Sequence, residues 1–167
     1  MKNIILIGMP AVGKSTIGVV LAKILGYKFI DTDILIQEKT GKLLKNIIKD
    51  QGTMGFINIE EQVNSEIEAE NAIIATGGSA IYSSKAMQHL GSIGTIIYLR
   101  LNFETLNKRL KNIKNRGVIF QENESLSDLY AQRSALYEKY AHIIIDEEGC
   151  NVEDVIEKIL LALGETK

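Results

Sequence analysis

Cysteine, proline and tryptophan are nearly missing from this 167-residue chain, which has one Cys, one Pro and no Trp. The single thiol, Cys150, has no partner for an intrachain disulfide. The fold must therefore be held by its core, and a reducing, cytoplasmic setting is expected rather than a secreted one. The one proline, Pro10, falls in the first loop. No Pro/Gly/Ser-rich linker, internal repeat or low-complexity tract divides the chain, so one domain over 1–167 is expected. No apolar run reaches the roughly 18 residues of a membrane span, and the short run Ile4 to Ile7 leads into glycine rather than a cleavage site. No membrane partner is expected. An excess of basic charge is missing too. Nineteen Lys and Arg against 21 Asp and Glu leave a net charge of −2, without the positive surface that a nucleic-acid partner requires.

What is present is an ordinary globular composition, 46% apolar and 24% charged, long enough to bury about two-thirds of its unfolded surface around one core. Short β-branched runs alternate with stretches of helical period, the pattern of a parallel sheet with helices on both faces. Five strands are predicted: Asn3 to Ile7, Lys28 to Asp31, Ala72 to Ala75, Gly94 to Leu99 and His142 to Ile145. All are continuous apolar runs, as expected of strands buried on both faces. The last helix is the clearest, with Val152, Val155, Ile156, Ile159, Leu160 and Leu163 at helical spacing behind Asn151 as cap. Helices are also predicted at Phe103 to Ile113 and Ser125 to Tyr140, separated by a polar stretch containing Gly117 that reads as mobile.

The chemistry is announced by Gly8, Gly13, Lys14 and Ser15, which satisfy Gly-x-x-x-x-Gly-Lys-Ser/Thr between a predicted strand and a predicted helix. Backbone N–H groups of Ala11, Val12, Gly13 and the first helical residues through Thr16 then converge as an anion nest, aided by the helix dipole. Lys14 supplies charge to the β- and γ-phosphates of ATP, and the Ser15 hydroxyl is placed to ligate Mg²⁺. Guanine specificity lacks support, because Asn107-Lys108-Arg109-Leu110 has no aspartate to read the base. Asp31 and Asp33 follow the second strand, at the edge where an open α/β sheet puts its ligand crevice. An ordinary alternative is that Asp33 only caps the next helix.

Taken together, the P-loop, Asp31-Thr32-Asp33, Thr76-Gly77-Gly78, Arg109 with Arg116, and Arg133 before Leu136-Tyr137 and Tyr140-Ala141 resemble the shikimate kinase family over nearly the whole chain. The resemblance implies a three-layer P-loop fold with a five-stranded parallel sheet of order 2-3-1-4-5, and a mobile lid near 114–124. It implies transfer of the ATP γ-phosphate to a hydroxyl of a cyclohexene carboxylate, a small-molecule substrate of aromatic amino acid biosynthesis; a monomer is expected, though the sequence does not fix the oligomeric state. By the same resemblance Asp31 helps to hold Mg²⁺ and Asp33 takes the acceptor's proton. Gly77 and Gly78 let the substrate approach the backbone, Arg116 neutralises the transferring phosphoryl, Arg109 stacks on adenine, and Arg133 pairs with the substrate carboxylate.

Three positions depart from the family pattern. Ile57 stands where the family has a second carboxylate-binding arginine, Ser79 where it has a third glycine, and Arg116-Gly117-Val118 where it has Arg-Pro-Leu. Losing one charge-assisted hydrogen bond, worth about 1.5–3 kcal/mol, weakens carboxylate binding by roughly 10- to 150-fold unless another group substitutes. Lys45 and Lys49 are the candidates to do so. The departures keep two alternatives open: a related kinase acting on another small polyol or nucleotide, and a nucleotide-binding protein without catalysis. His89 and His142 read as structural, and Glu60, Glu61, Glu66, Glu68 and Glu70 as a solvated acidic helix face.

Overall fold

A computed structural model describes residues 3–111 and 125–165. The expected lid near 114–124, with Arg116, lies outside the described residues. In chain order the elements are β1 (Asn3–Ile7), α1 (Lys14–Leu25), β2 (Lys28–Asp31), α2 (Thr32–Thr40), α3 (Leu44–Ser65), β3 (Ala72–Ala75), a 3-10 turn (Ala80–Tyr82), α4 (Ser84–Ile93), β4 (Gly94–Arg100), α5 (Phe103–Lys111), α6 (Leu126–Tyr140), β5 (Ile143–Asp146) and α7 (Val152–Leu163).

The five strands form one parallel sheet in the order β2-β3-β1-β4-β5. In the middle, Ile5 aligns with Ile74 of β3 and Ile96 of β4. β1 and β3 are buried throughout, because helices cover both faces and no solvated face demands an alternating pattern. The two edge strands differ from the expectation that all five are buried. In β2 Lys28 is exposed, and in β5 Ile144 is 41% exposed, since an edge strand has a sheet neighbour on one side only.

β1 pairs with β3 on one side and β4 on the other, so the chain leaves the centre in opposite directions. Such a switch point opens a crevice at the strands' C-terminal ends. The loop after β1, Asp31 and Thr76 all lie at that edge. α7 anchors the opposite flank as its spacing predicts, with a full capping box between Asn151 and Asp154 and with Val155, Ile156, Ile159 and Leu160 buried. α3 is bent at Gly52 (φ 72°, ψ 179°), so Leu44 to Gln51 forms a separate helical piece whose start, Leu44 and Lys45, lines the crevice.

Candidate active site

The loop from Gly8 to Gly13 owes its shape to backbone conformations that few residues accept. Gly8 has φ 148°, and a Cβ there would lie 2.7 Å from the Leu99 carbonyl oxygen. Any side chain would push the loop off the sheet. Ala11 (φ 69°) and Gly13 (φ 98°) are also left-handed, and Gly13 caps α1. These conformations bend the loop tightly into the N-terminus of α1, where an anion site is expected, and the Val12 N–H donates within the loop to the Met9 carbonyl at 3.4 Å. Val12 anchors it by burying its side chain in the core, whereas Ala11, Gly13, Ser15 and Thr16 line the cleft.

Lys14 folds back over the same loop. Its Nζ donates to the Gly8 and Met9 carbonyl oxygens at 2.7 and 3.0 Å, leaving one ammonium proton for a phosphate. Burial pulls its pKa down to about 8, with the charge of Asp33 opposing that shift. The ammonium therefore stays charged at neutral pH.

The Ser15 hydroxyl donates to Asp31 Oδ2 at 2.8 Å, joining the P-loop to the end of β2. The other oxygen, Oδ1, accepts from the backbone N–H groups of Asp33 (2.9 Å) and Ile34 (3.4 Å). Asp31, not Asp33, is thus the cap of α2. Asp33 keeps its carboxylate clear of side-chain hydrogen bonds among the described residues and lines the cleft. Burial, then the nearby charge of Asp31, raises its pKa, while Lys14 acts in the opposite direction.

Gly77 and Gly78 line the same cleft. A Cβ on Gly77 would collide with Glu60 Oε1 and come within 3.0 Å of Asp33 Oδ1, so both carboxyl groups crowd the space that glycine leaves empty. Its N–H is held by Thr32 Oγ1 at 3.2 Å. Next to Gly78, whose carbonyl accepts from the Tyr137 hydroxyl at 2.6 Å, lies the Arg133 guanidinium. Arg133 is only 2% exposed, donates from Nε to the Tyr82 hydroxyl at 3.2 Å, and sits 5.4 Å from that ring's centre. Packing of this kind fixes a planar fork suited to a carboxylate.

Glu60 is the residue that the sequence reading missed. Rather than joining a solvated face, it is 1% exposed on the buried side of α3 and lines the cleft. Its Oε2 accepts from the Ser79 hydroxyl, and its Oε1 has no hydrogen-bond partner. Burial pushes its pKa up to about 7; Ser79 opposes the shift and Asp33 adds to it. The signal was available, since Glu60 follows the core residue Phe56 by one helical turn. The rest of the acidic set also departs from a common helix face. Glu61 accepts from Ser83, Glu66 pairs with Lys39, and Glu68 and Glu70 lie past the end of α3.

Arg109 Nη1 donates to the Ala11 carbonyl at 3.3 Å, fixing the guanidinium beside the P-loop, although Arg109 does not line the cleft itself. Glu147, just after β5, is 2% exposed with neither carboxyl oxygen hydrogen-bonded. Burial raises its pKa to about 7 against the pull of Arg109 and Lys14. Both histidines serve the fold: His89 Nε2 lies 2.8 Å from the Ile67 carbonyl oxygen, and His142 Nδ1 accepts from the Ile96 N–H at 3.0 Å. The cleft spans about 640 Å³ and joins P-loop, aspartates, Gly77, Gly78 and Arg133 in one space.

A family model described as shikimate kinase matches residues 10–164. Among curated proteins, a shikimate kinase from Thermodesulfovibrio yellowstonii is 38% identical over 163 residues, covering 96% of this chain and 94% of its own. One from Francisella tularensis subsp. holarctica is 37% identical over 168 residues, covering 98% and 96%. The solved structure of shikimate kinase from Acinetobacter baumannii in complex with shikimate superposes with a TM-score of 0.89 at 34% identity, over 99% of this chain and 95% of that one.

Proposed function

The chain belongs to the shikimate kinase family, and we propose that it transfers the γ-phosphoryl group of ATP to a hydroxyl of shikimate. The observation that carries this reading is the convergence of Lys14, Asp33 and Arg133 on one cleft at the C-terminal edge of the sheet. A phosphate cradle, a carboxylate for the acceptor hydroxyl and a fork for the acceptor carboxylate then share one small-molecule site.

In the reaction an acceptor oxygen bonds to the γ-phosphorus as the bridge to the β-phosphate breaks. The hydroxyl proton passes to Asp33 and ADP departs. A loose transition state needs little early deprotonation, so Asp33 serves chiefly by orienting the hydroxyl. Its raised pKa favours proton uptake as the ester forms. Lys14 and the loop amides from Gly8 to Thr16 bind the β- and γ-phosphates, and Gly77 and Gly78 give the ring room to reach the phosphorus. Arg133 holds the carboxylate. Arg109, tied to Ala11, offers its plane to adenine, and Arg116 is assigned by sequence to the transferring phosphoryl.

The hydroxyl of Ser15 and the carboxylate of Asp31, already 2.8 Å apart, are hard oxygen donors that suit Mg²⁺, which takes one or two protein oxygens along with phosphate oxygens. When bound, the ion neutralises charge on the β- and γ-phosphates. The corresponding expectation is a monomer at work in the cytoplasm, where ATP is available. Among the described residues, no helix is long and apolar enough to cross a membrane.

The deciding assay is ADP release from MgATP with and without millimolar shikimate, beside a panel of polyols and nucleoside monophosphates. Turnover that depends on shikimate upholds the reading. Turnover only with another acceptor keeps the phosphoryl chemistry and discards the substrate, and none with any acceptor leaves a nucleotide-binding protein.

A further inference from the structure

A carboxylate-bearing acceptor has to enter a cleft that already holds the acids Asp31, Asp33 and Glu60. Among the described residues, the cations lining that cleft are Lys14, Lys45 and Arg133. Lys14 is committed to the P-loop carbonyls and the phosphates. Ile57, where the family carries an arginine, is half-buried and does not line the cleft, although its neighbour Phe56 does.

The lysines on the nearby segment separate cleanly. Lys39 pairs with Glu66 and Lys42 with Asp50, while Lys49 does not reach the cleft. Lys45 alone of these four lines the cleft, and it makes no hydrogen bond or ion pair among the described residues. Ile34, Gln37, Leu43, Leu44 and Phe56 line the same cleft, and the Gln37 side chain accepts from the Leu44 N–H next to Lys45 at 3.3 Å. These residues offer an anion no other charge.

We propose that Lys45 is a specificity-determining residue, supplying with Arg133 the second positive charge for the acceptor's carboxylate. The inference rests on the shikimate reading above. A lysine suits the place because it is exposed at the cleft, so its ammonium stays wet and avoids the desolvation that a buried cation would incur. A flexible point charge is a weaker anchor than a bidentate arginine, and an exposed one is screened by salt. Shikimate affinity is therefore salt-sensitive in a way that binding of a neutral analogue is not.

The test compares wild type with Lys45→Met and Lys45→Arg, measuring steady-state rates and the calorimetric affinities for shikimate and for its uncharged carboxamide. The expected result for Lys45→Met is a shikimate KM raised about 5- to 20-fold, at the low end for a charge-assisted contact, with the KM for ATP and the carboxamide affinity unmoved. Lys45→Arg restores the shikimate KM to within about threefold, since the charge is kept. A shikimate KM that Lys45→Met leaves unaltered overturns the assignment, as does equal weakening of shikimate and carboxamide, because then the carboxylate is not what Lys45 reads. A wild type with no shikimate-dependent ADP release overturns the functional reading itself, and the role of Lys45 with it.

Discussion

The Ser79 hydroxyl donates a hydrogen bond to Oε2 of Glu60, and both residues line the cleft. The glutamate is a buried carboxyl whose other oxygen is bare. Removing the donor leaves both oxygens unsatisfied, and such a loss costs about 1–3 kcal/mol. Ser79→Ala is expected to lower the urea-unfolding free energy by that amount. Combined with Glu60→Gln, its effect should be non-additive, since residues joined by one hydrogen bond couple. Additive effects would mean that the bond contributes nothing to stability.

Asp33 is spared from capping α2 because Asp31 does that work. Asp33→Asn keeps the shape but loses the proton acceptor. The expected outcome is a drop in kcat of at least about 100-fold, the usual reach of a positioned acid–base group, with ATP affinity retained in a nucleotide titration. Full activity in this variant would remove Asp33 from the reaction.

A Cβ on Gly77 would press on the carboxyl groups of both Glu60 and Asp33. Gly77→Ala should displace Glu60, Asp33 or the backbone between them, and overpacking of this kind costs about 1–3 kcal/mol. We expect the KM for shikimate to rise roughly 5- to 150-fold while the KM for ATP holds, because the methyl group lies on the acceptor side. Steady-state kinetics with each substrate varied separately would show it.

Glu147 binds its proton more tightly folded than unfolded, its pKa rising from 4.5 to about 7 through burial. The folded state therefore holds the extra proton between those values. The contribution to stability is complete below about 4.5 and is lost as the pH climbs through about 7. Glu147→Gln removes the ionisable group, so the variant should gain on the wild type across that window and end about 1–3 kcal/mol more stable at pH 8. Thermal melts at pH 5 and pH 8 measure the difference, and a gap that does not change with pH would exclude the carboxyl as its source.

Much of the fold was legible because its signals are local. β1, β2 and β3 fall on the predicted boundaries, β4 runs one residue further to Arg100, and β5 is shifted by one to Ile143–Asp146. β-branched runs and the Asn151 cap act over a few residues of chain, so they survive without knowledge of the partner elements. The P-loop was legible for the same reason: its glycines meet backbone demands set within the loop.

The sequence by itself determined the five strands, the closing helix and the phosphate loop, since each depends on spacing along one segment. What it could not determine was which groups meet across segments. Asp31 as cap in place of Asp33, Glu60 buried rather than solvated, and Lys45 rather than Lys49 on the cleft were decided by how α2 and α3 pack at the sheet edge. Hydrogen-bond partners and desolvation are set by neighbours distant in the chain, and for Glu60 the neighbour that holds it, Ser79, comes from the loop after β3.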